Sequence, residues 1–151
     1  MMFPKLKPIF QSAFGLDLRS LAFGRIALAL VILYDLYDRV SDLCAHYSDI
    51  GLYPVELAKK VNTVWMLSIH SIDGSYAYQL FIFTIAFITA FMLLIGYKTK
   101  WVTPICWFLL MSVQNRNPII CYGADSVLRM AIFWGMFLPW GKRYAIDALS
   151  I

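Results

Sequence analysis

Residues 77–96 run for about twenty positions without one charged side chain. As a helix such a run is about 30 Å long, which matches the hydrocarbon core of a bilayer. The composition agrees: 61% of the chain is hydrophobic and 15% charged, where soluble domains sit near half apolar and a quarter charged. The expected class is therefore an all-α integral membrane protein, and 151 residues suit one domain.

Three further apolar runs complete a bundle of about four transmembrane helices, with spans at residues 20–37, 77–96, 101–113 and 126–138. The last two reach only about 20 Å each by the helical rise. Residues 1–19 mix Lys5, Lys7 and Arg19 with Phe10, Phe14, Leu16 and Leu18, a pattern that predicts a helix lying in the interface. The transmembrane domain then occupies 20–151. Its first span carries Arg25 and Asp35 and no small-residue cleavage pattern, so it reads as a retained helix rather than a signal peptide. An apolar piece at 61–72 is too short to cross and predicts a surface or re-entrant helix in the outer loop.

Lysine and arginine placement sets the orientation. Lys5, Lys7, Arg19, Lys98, Lys100, Lys142 and Arg143 fall on one side of four alternating spans; Arg39, Lys59, Lys60 and Arg116 fall on the other. The richer side is expected to be cytoplasmic, which puts both termini inside and His46, Lys59 and Asn117 outside. The membrane is a plasma or inner membrane in a bacterium, or an organelle membrane in a eukaryote.

The polar residues concentrate at the outer ends. Pro118 cannot continue a helix and pushes Asn117 toward extended backbone. The QNRNP stretch, with Asn115, Arg116 and Asn117, is therefore expected to dip inward and roof a polar pocket. Asp35, Asp38 and Asp42 share one face at the end of the first helix. Asp125 and Arg129 stand four apart on the last helix, in the favourable order for an ion pair. A charge inside an apolar run needs a partner, so Arg129 is expected to pair with Asp125, Asp35 or both. That pair is either an architectural lock or part of a substrate or lipid-headgroup site.

Other groups carry less. Arg25 is expected to snorkel to the interface. Phe83, Phe87 and Phe91 read as a packing or lipid stripe. Cys44, Cys106 and Cys121 lack zinc or CxxC spacing and read as small apolar fillers, and neither His46 nor His70 has a second ligand at metal-like spacing. No catalytic residue, metal site, resident cofactor or nucleic-acid surface is expected, though a bound lipid or quinone fits the pocket. Small residues at Ser20 and Gly24, with Ala27, and at Ala131 and Gly135 would allow another membrane protein or a second copy to approach closely.

Six stretches together resemble one family in order along the chain: FGRIALALVILYD (23–35), HYSDIGLYP (46–54), LLIGYKTK (93–100), SVQNRNP (112–118), YGADSVLRMAIFWGMFLPWG (122–141) and AIDA (145–148). They look like the horizontally transferred transmembrane (HTTM) family, which includes the membrane domain of vitamin K-dependent γ-glutamyl carboxylases. Family members continue with further spans beyond the point matching Asp147, so the resemblance implies a half-length member. The carboxylases place a catalytic lysine in the segment resembling SVQNRNP, where this chain has Val113 and Gln114. The resemblance thus implies a fold element with an outer polar pocket, and not a carboxylase. Two functions follow: a non-enzymatic membrane subunit, or part of an enzyme acting on a quinone-like or lipid substrate and completed by another chain. A small transporter is a third reading, unsupported by any internal repeat.

Overall fold

In the computed structural model, which describes residues 17–62 and 66–149, every regular element is helical and no strand occurs among those residues. The helices are α1 (Leu18–Ser41), α2 (Leu43–Tyr47), α3 (Val55–Val61), α4 (Tyr76–Ile95), α5 (Thr99–Arg116) and α6 (Gly123–Gly135). Short 3₁₀ turns at Ile69–Ser71, Pro118–Ile120 and Ile146–Leu149 join or follow them. The interfacial helix expected over 1–19 falls mostly outside the described residues; Leu18 and Arg19 already belong to α1.

The four long helices run alternately up and down, α1 against α4, α4 against α5 and α5 against α6, with α6 returning to α1. Their buried positions explain the packing. On α1 these are Ala22, Arg25, Ala29, Ile32, Leu36 and Arg39, separated by steps of three and four. On α6 they are Asp125, Leu128, Ile132 and Gly135, with the same steps. A three-four repeat keeps one stripe facing its neighbours in nearly parallel helix packing. Ile32, Leu36, Phe83, Ala90, Leu110 and Ile132 belong to the resulting single core. The Phe83, Phe87, Phe91 row is not one surface: Phe83 is buried, Phe87 half-buried and Phe91 exposed.

α1 and α4 are long and apolar enough to cross a membrane, and only 28% and 39% of their most apolar stretches are buried. Phe23, Leu30, Val31, Tyr34 and Tyr37 of α1 are each more than half exposed. A buried core helix of a soluble protein would hide such residues.

The helix ends differ from the expected spans for local reasons. α1 starts early because the Asp17 carboxylate caps it, accepting from the amides of Arg19 (3.1 Å) and Ser20 (3.3 Å). α4 ends where Gly96 takes a left-handed φ of 73°; its amide bonds Leu93 O at 3.2 Å and that of Tyr97 bonds Met92 O at 3.0 Å. That is the Schellman closure, which favours glycine. α5 is 18 residues, about 27 Å, rather than the shorter run 101–113. Gln114, Asn115 and Arg116 finish its last turn, so the break expected across QNRNP falls only at Asn117 and Pro118. α6 is shifted one turn toward its start, at Gly123–Gly135 rather than 126–138. Asp125 Oδ2 accepts the Tyr122 amide at 2.8 Å and nucleates it early. In the connection between α1 and α4 a helix lies at Val55–Val61, where Pro54 precedes it and Asp49 Oδ1 accepts the Val55 amide at 2.8 Å. Of the helix expected over 61–72, residues 63–65 lie outside the described residues, and the described part is helical only at Val61 and in the 3₁₀ turn Ile69–Ser71.

Candidate functional site

Charge divides the bundle into two ends. The end holding the α4–α5 turn carries six described basic residues against two acids, Asp17 and Asp147. The opposite end carries seven acids against five basic residues, Arg39, Lys59, Lys60, Arg116 and Arg129. Each end is organised around buried arginine.

At the acidic end Arg39 is the hub. Its Nε donates to Asp35 Oδ2 at 2.9 Å, Nη1 to the Tyr47 hydroxyl at 2.9 Å and Nη2 to Asp125 Oδ1 at 2.5 Å. Burial pushes the Tyr47 phenol up to about 12 although Arg39 opposes it, so Tyr47 serves as a neutral acceptor. The expected pairing of Arg129 with Asp125 or Asp35 is therefore corrected. Arg129 is half-buried, one position off the buried stripe, and forms no ion pair among the described residues. Arg39 wins because it lies on the α1 stripe facing α6 and reaches Asp125 across the gap between the helices, whereas Arg129, one turn on from Asp125 at the edge of the buried face, does not close on that carboxylate.

Arg116, fully buried, reaches the HYSDIGLYP stretch: its Nη2 donates to Tyr53 O at 2.9 Å and Tyr47 O at 3.3 Å. Asn117 donates to His46 O at 3.1 Å, and Asn115 to Leu67 O at 3.0 Å. Gln114 donates to Asp125 O at 3.2 Å, a structural role at the place where the resemblance marks a missing base. These bonds sew the QNRNP residues to the connection between α1 and α4 and to the start of α6. Asp35, Asp38 and Asp42 do come together, along a cavity of about 140 Å³ that His46 and Tyr122 also line.

A second buried group here was not expected from the sequence. His70 is fully buried, its Nδ1 2.7 Å from Gln79 Oε1, while Gln79 Nε2 donates to His70 O (2.8 Å) and Asp73 O (2.6 Å). Since the Gln79 oxygen must accept, His70 carries its proton on Nδ1. Burial lowers its pKa to about 4; Gln79 opposes the shift and the Arg116 charge adds to it. The ring is neutral and stacks edge-on with Phe83 at 5.1 Å.

At the basic end the hub is Arg25, and its expected snorkelling is corrected. The side chain is fully buried and caps the end of α4, donating to Leu93 O, to Leu94 O at 2.7 Å, to Tyr144 O at 2.6 Å and to Trp140 O at 3.3 Å. The last carbonyls of a helix lack intrahelical donors and form its negative pole, so a cation there is well placed. Asp147 does the reverse for α5. It accepts from the amides of Lys98 (2.6 Å) and Thr99 (2.7 Å) and from the Thr99 hydroxyl (2.7 Å). Partial burial would raise its pKa, but these donors hold the carboxyl below its ordinary range.

The helix-packing residues separate as well. Gly24 is exposed, and a Cβ added there would meet nothing within 4 Å, whereas a Cβ on Gly135 would collide with the Trp140 ring. Gly135 is thus occupied by its own chain and cannot receive a partner helix; Ala131 is half-buried beside it. Cys106 is buried, Cys121 half-buried and Cys44 exposed, and all three are free thiols. Compared with known proteins, the chain matches no family model, no curated protein and no solved structure.

Proposed function

We propose that the chain is an integral membrane subunit, crossing the bilayer four times with the basic end cytoplasmic, and that it serves a larger membrane assembly by packing rather than by catalysis. The observation that carries this reading is the inversion of the usual distribution. Arg25, Arg39, Arg116 and Asp125 are buried, while large apolar side chains cover the outside of the long helices. Only a solvent as apolar as lipid makes that arrangement favourable. The charge asymmetry supports the orientation through the bias toward basic residues on the cytoplasmic side. α6, at 13 residues, is only about 20 Å long, and a neighbouring subunit would shield its ends from lipid. The open Ser20, Gly24, Ala27 face of α1 is where another helix, from a second copy or a different protein, would approach.

Orientation is tested by single cysteines at positions 59 and 98 in a background lacking Cys44, Cys106 and Cys121. An impermeant thiol reagent should label position 59 in intact cells and position 98 only after lysis; the reverse would overturn the orientation. Assembly is tested by native mass spectrometry after mild extraction. A stable partner, lost in Gly24→Leu, is expected; a monomer carrying only lipid and indifferent to that change would refute the subunit reading.

The cavity lined by Asp35, Asp38, Asp42 and His46 favours a second reading, in which the chain is part of an HTTM-like membrane enzyme that holds a quinone-like or lipid headgroup. Under that reading Asp38→Asn, which touches none of the Arg39 bonds, lowers retention of a co-purified small molecule and leaves assembly intact.

A further inference from the structure

We propose that the groove beside α5 at the basic end is a binding site for one anionic phospholipid of the adjacent leaflet; this rests on the membrane reading above. The groove has a volume of about 480 Å³ and two kinds of lining residue. Residues 136–140, which follow α6, supply an apolar face of Met136, Phe137, Leu138, Pro139 and Trp140. Lys100 of α5 and Lys142, which follows the apolar segment, also line the groove beside the capping carboxylate of Asp147; both lysines are exposed and neither is in an ion pair among the described residues.

This combination selects the occupant. A soluble anion has no use for five apolar residues, and a neutral lipid has none for two lysines. A phospholipid has an acyl chain for the first kind and a phosphate for the second. The groove lies where α4 turns into α5, at the level where a bilayer's headgroups meet water if α4 crosses it. The other polar groups in the groove are already engaged. Thr99 Oγ1 donates to Asp147, and Thr103 Oγ1 to Thr99 O at 2.7 Å. The first amides of α5 are taken by the Asp147 carboxylate, so they offer no anion site. Attraction therefore falls to the two ammonium groups, whose long stems lie along apolar surface while the charges reach the phosphate. An anionic headgroup is preferred over a zwitterionic one because the surrounding end is basic and its two acids are both engaged as helix caps.

The experiment uses the full chain in mild detergent, mixed with equal amounts of phosphatidylglycerol and phosphatidylcholine of matched acyl chains and analysed by native mass spectrometry. Wild type should retain phosphatidylglycerol over phosphatidylcholine by roughly 25-fold, about fivefold for each lysine. Lys100→Gln with Lys142→Gln should lose that preference. Lys59→Gln with Lys60→Gln, at the opposite end, should keep it. Equal retention of the two lipids by wild type, or an unchanged preference in the Lys100/Lys142 variant, would overturn the site while leaving the membrane reading intact. Extraction of the protein into buffer without detergent would overturn both.

Discussion

Both ends of the bundle bury an arginine of α1, and they satisfy it in opposite ways. Arg25 at the basic end is held by backbone carbonyls, while Arg39 at the acidic end is held by two carboxylates and a phenol. The two stand on one stripe, 14 residues apart, which is four helical turns of a three-four repeat. The first arrangement ties a cation to partial charges that come with the end of α4. The second ties it to full charges whose own desolvation must be offset. Removing the cation should therefore have unequal consequences. At the basic end it leaves carbonyls short of a donor; at the acidic end it strands anions.

The largest effect is expected at the acidic end. Arg39→Leu should destabilise the protein by about 3–5 kcal/mol, because Asp35 and Asp125 lose their common partner. Adding Asp125→Asn should recover part of that loss, since the amide oxygen can still accept the Tyr122 amide and no charge is left buried there. Denaturant titration in detergent measures both. A double variant no more stable than the single one would show that the cost is not the stranded charge.

Arg25→Leu should cost less, about 2–3 kcal/mol, the range for losing bonds from a charged donor. No single side-chain change elsewhere should rescue it, because its partners are main-chain atoms. The loss should appear first as exchange of the amides around Gly96 and Tyr97, where the α4 closure and the segment after α6 meet. Slowed or unchanged exchange there would contradict the role assigned to Arg25.

How much of this is legible in the sequence depends on what kind of signal each residue carries. The uncharged run 77–96 marks α4 nearly to the residue, and its end needs only Gly96. The acidic face of Asp35, Asp38 and Asp42 follows from helical spacing, and it does line one cavity. Arg25 and Arg39 are misread when each charge is weighed by its distance from the span's end. Their register is the better signal: Ala22, Ala29, Ile32 and Leu36 define a stripe, and both arginines fall on it. Arg129 suggests itself as the partner of Asp125 because pairing within one helix is visible in sequence. Pairing between helices is not, since it depends on how α1 and α6 face each other. His70 with Gln79, and Asp147 on α5, are likewise closures that no helical or strand pattern announces.

A milder contrast concerns pH. The folded His70 pKa of about 4 lies below the ordinary 6.5, so the unfolded chain binds the extra proton first as acid is added. The stability this neutral ring contributes is complete above about pH 6.5 and is lost as the pH falls toward 4. The ceiling is on the order of 3 kcal/mol. Between pH 6.5 and 5, before carboxylates titrate, wild type should lose stability with a slope that His70→Leu lacks. Equal slopes in the two proteins would mean that His70 is not buried neutral at the acidic end.

The smallest effect is expected at Arg129, and it is the sharpest check on the comparison between the ends. Arg129 sits in the middle of α6, one position beyond Leu128 and one turn on from Asp125, at the edge of the buried stripe rather than on it. It is half-buried and takes no part in the Arg39, Asp35, Asp125 cluster. Arg129→Leu strands no anion, because Asp125 keeps both Arg39 and the Tyr122 amide. The change should stay within about 0.5 kcal/mol, as for substitutions that touch no buried network. Arg39→Leu and Arg129→Leu each remove one positive charge from α1 or α6, so the difference between them isolates position from charge. If Arg129→Leu were as damaging as Arg39→Leu, Asp125 would have to face Arg129 instead. The α1 stripe would then be rotated away from α6, and Arg25, 14 residues earlier on that stripe, would no longer reach the end of α4. The two hubs therefore stand or fall together on this one measurement.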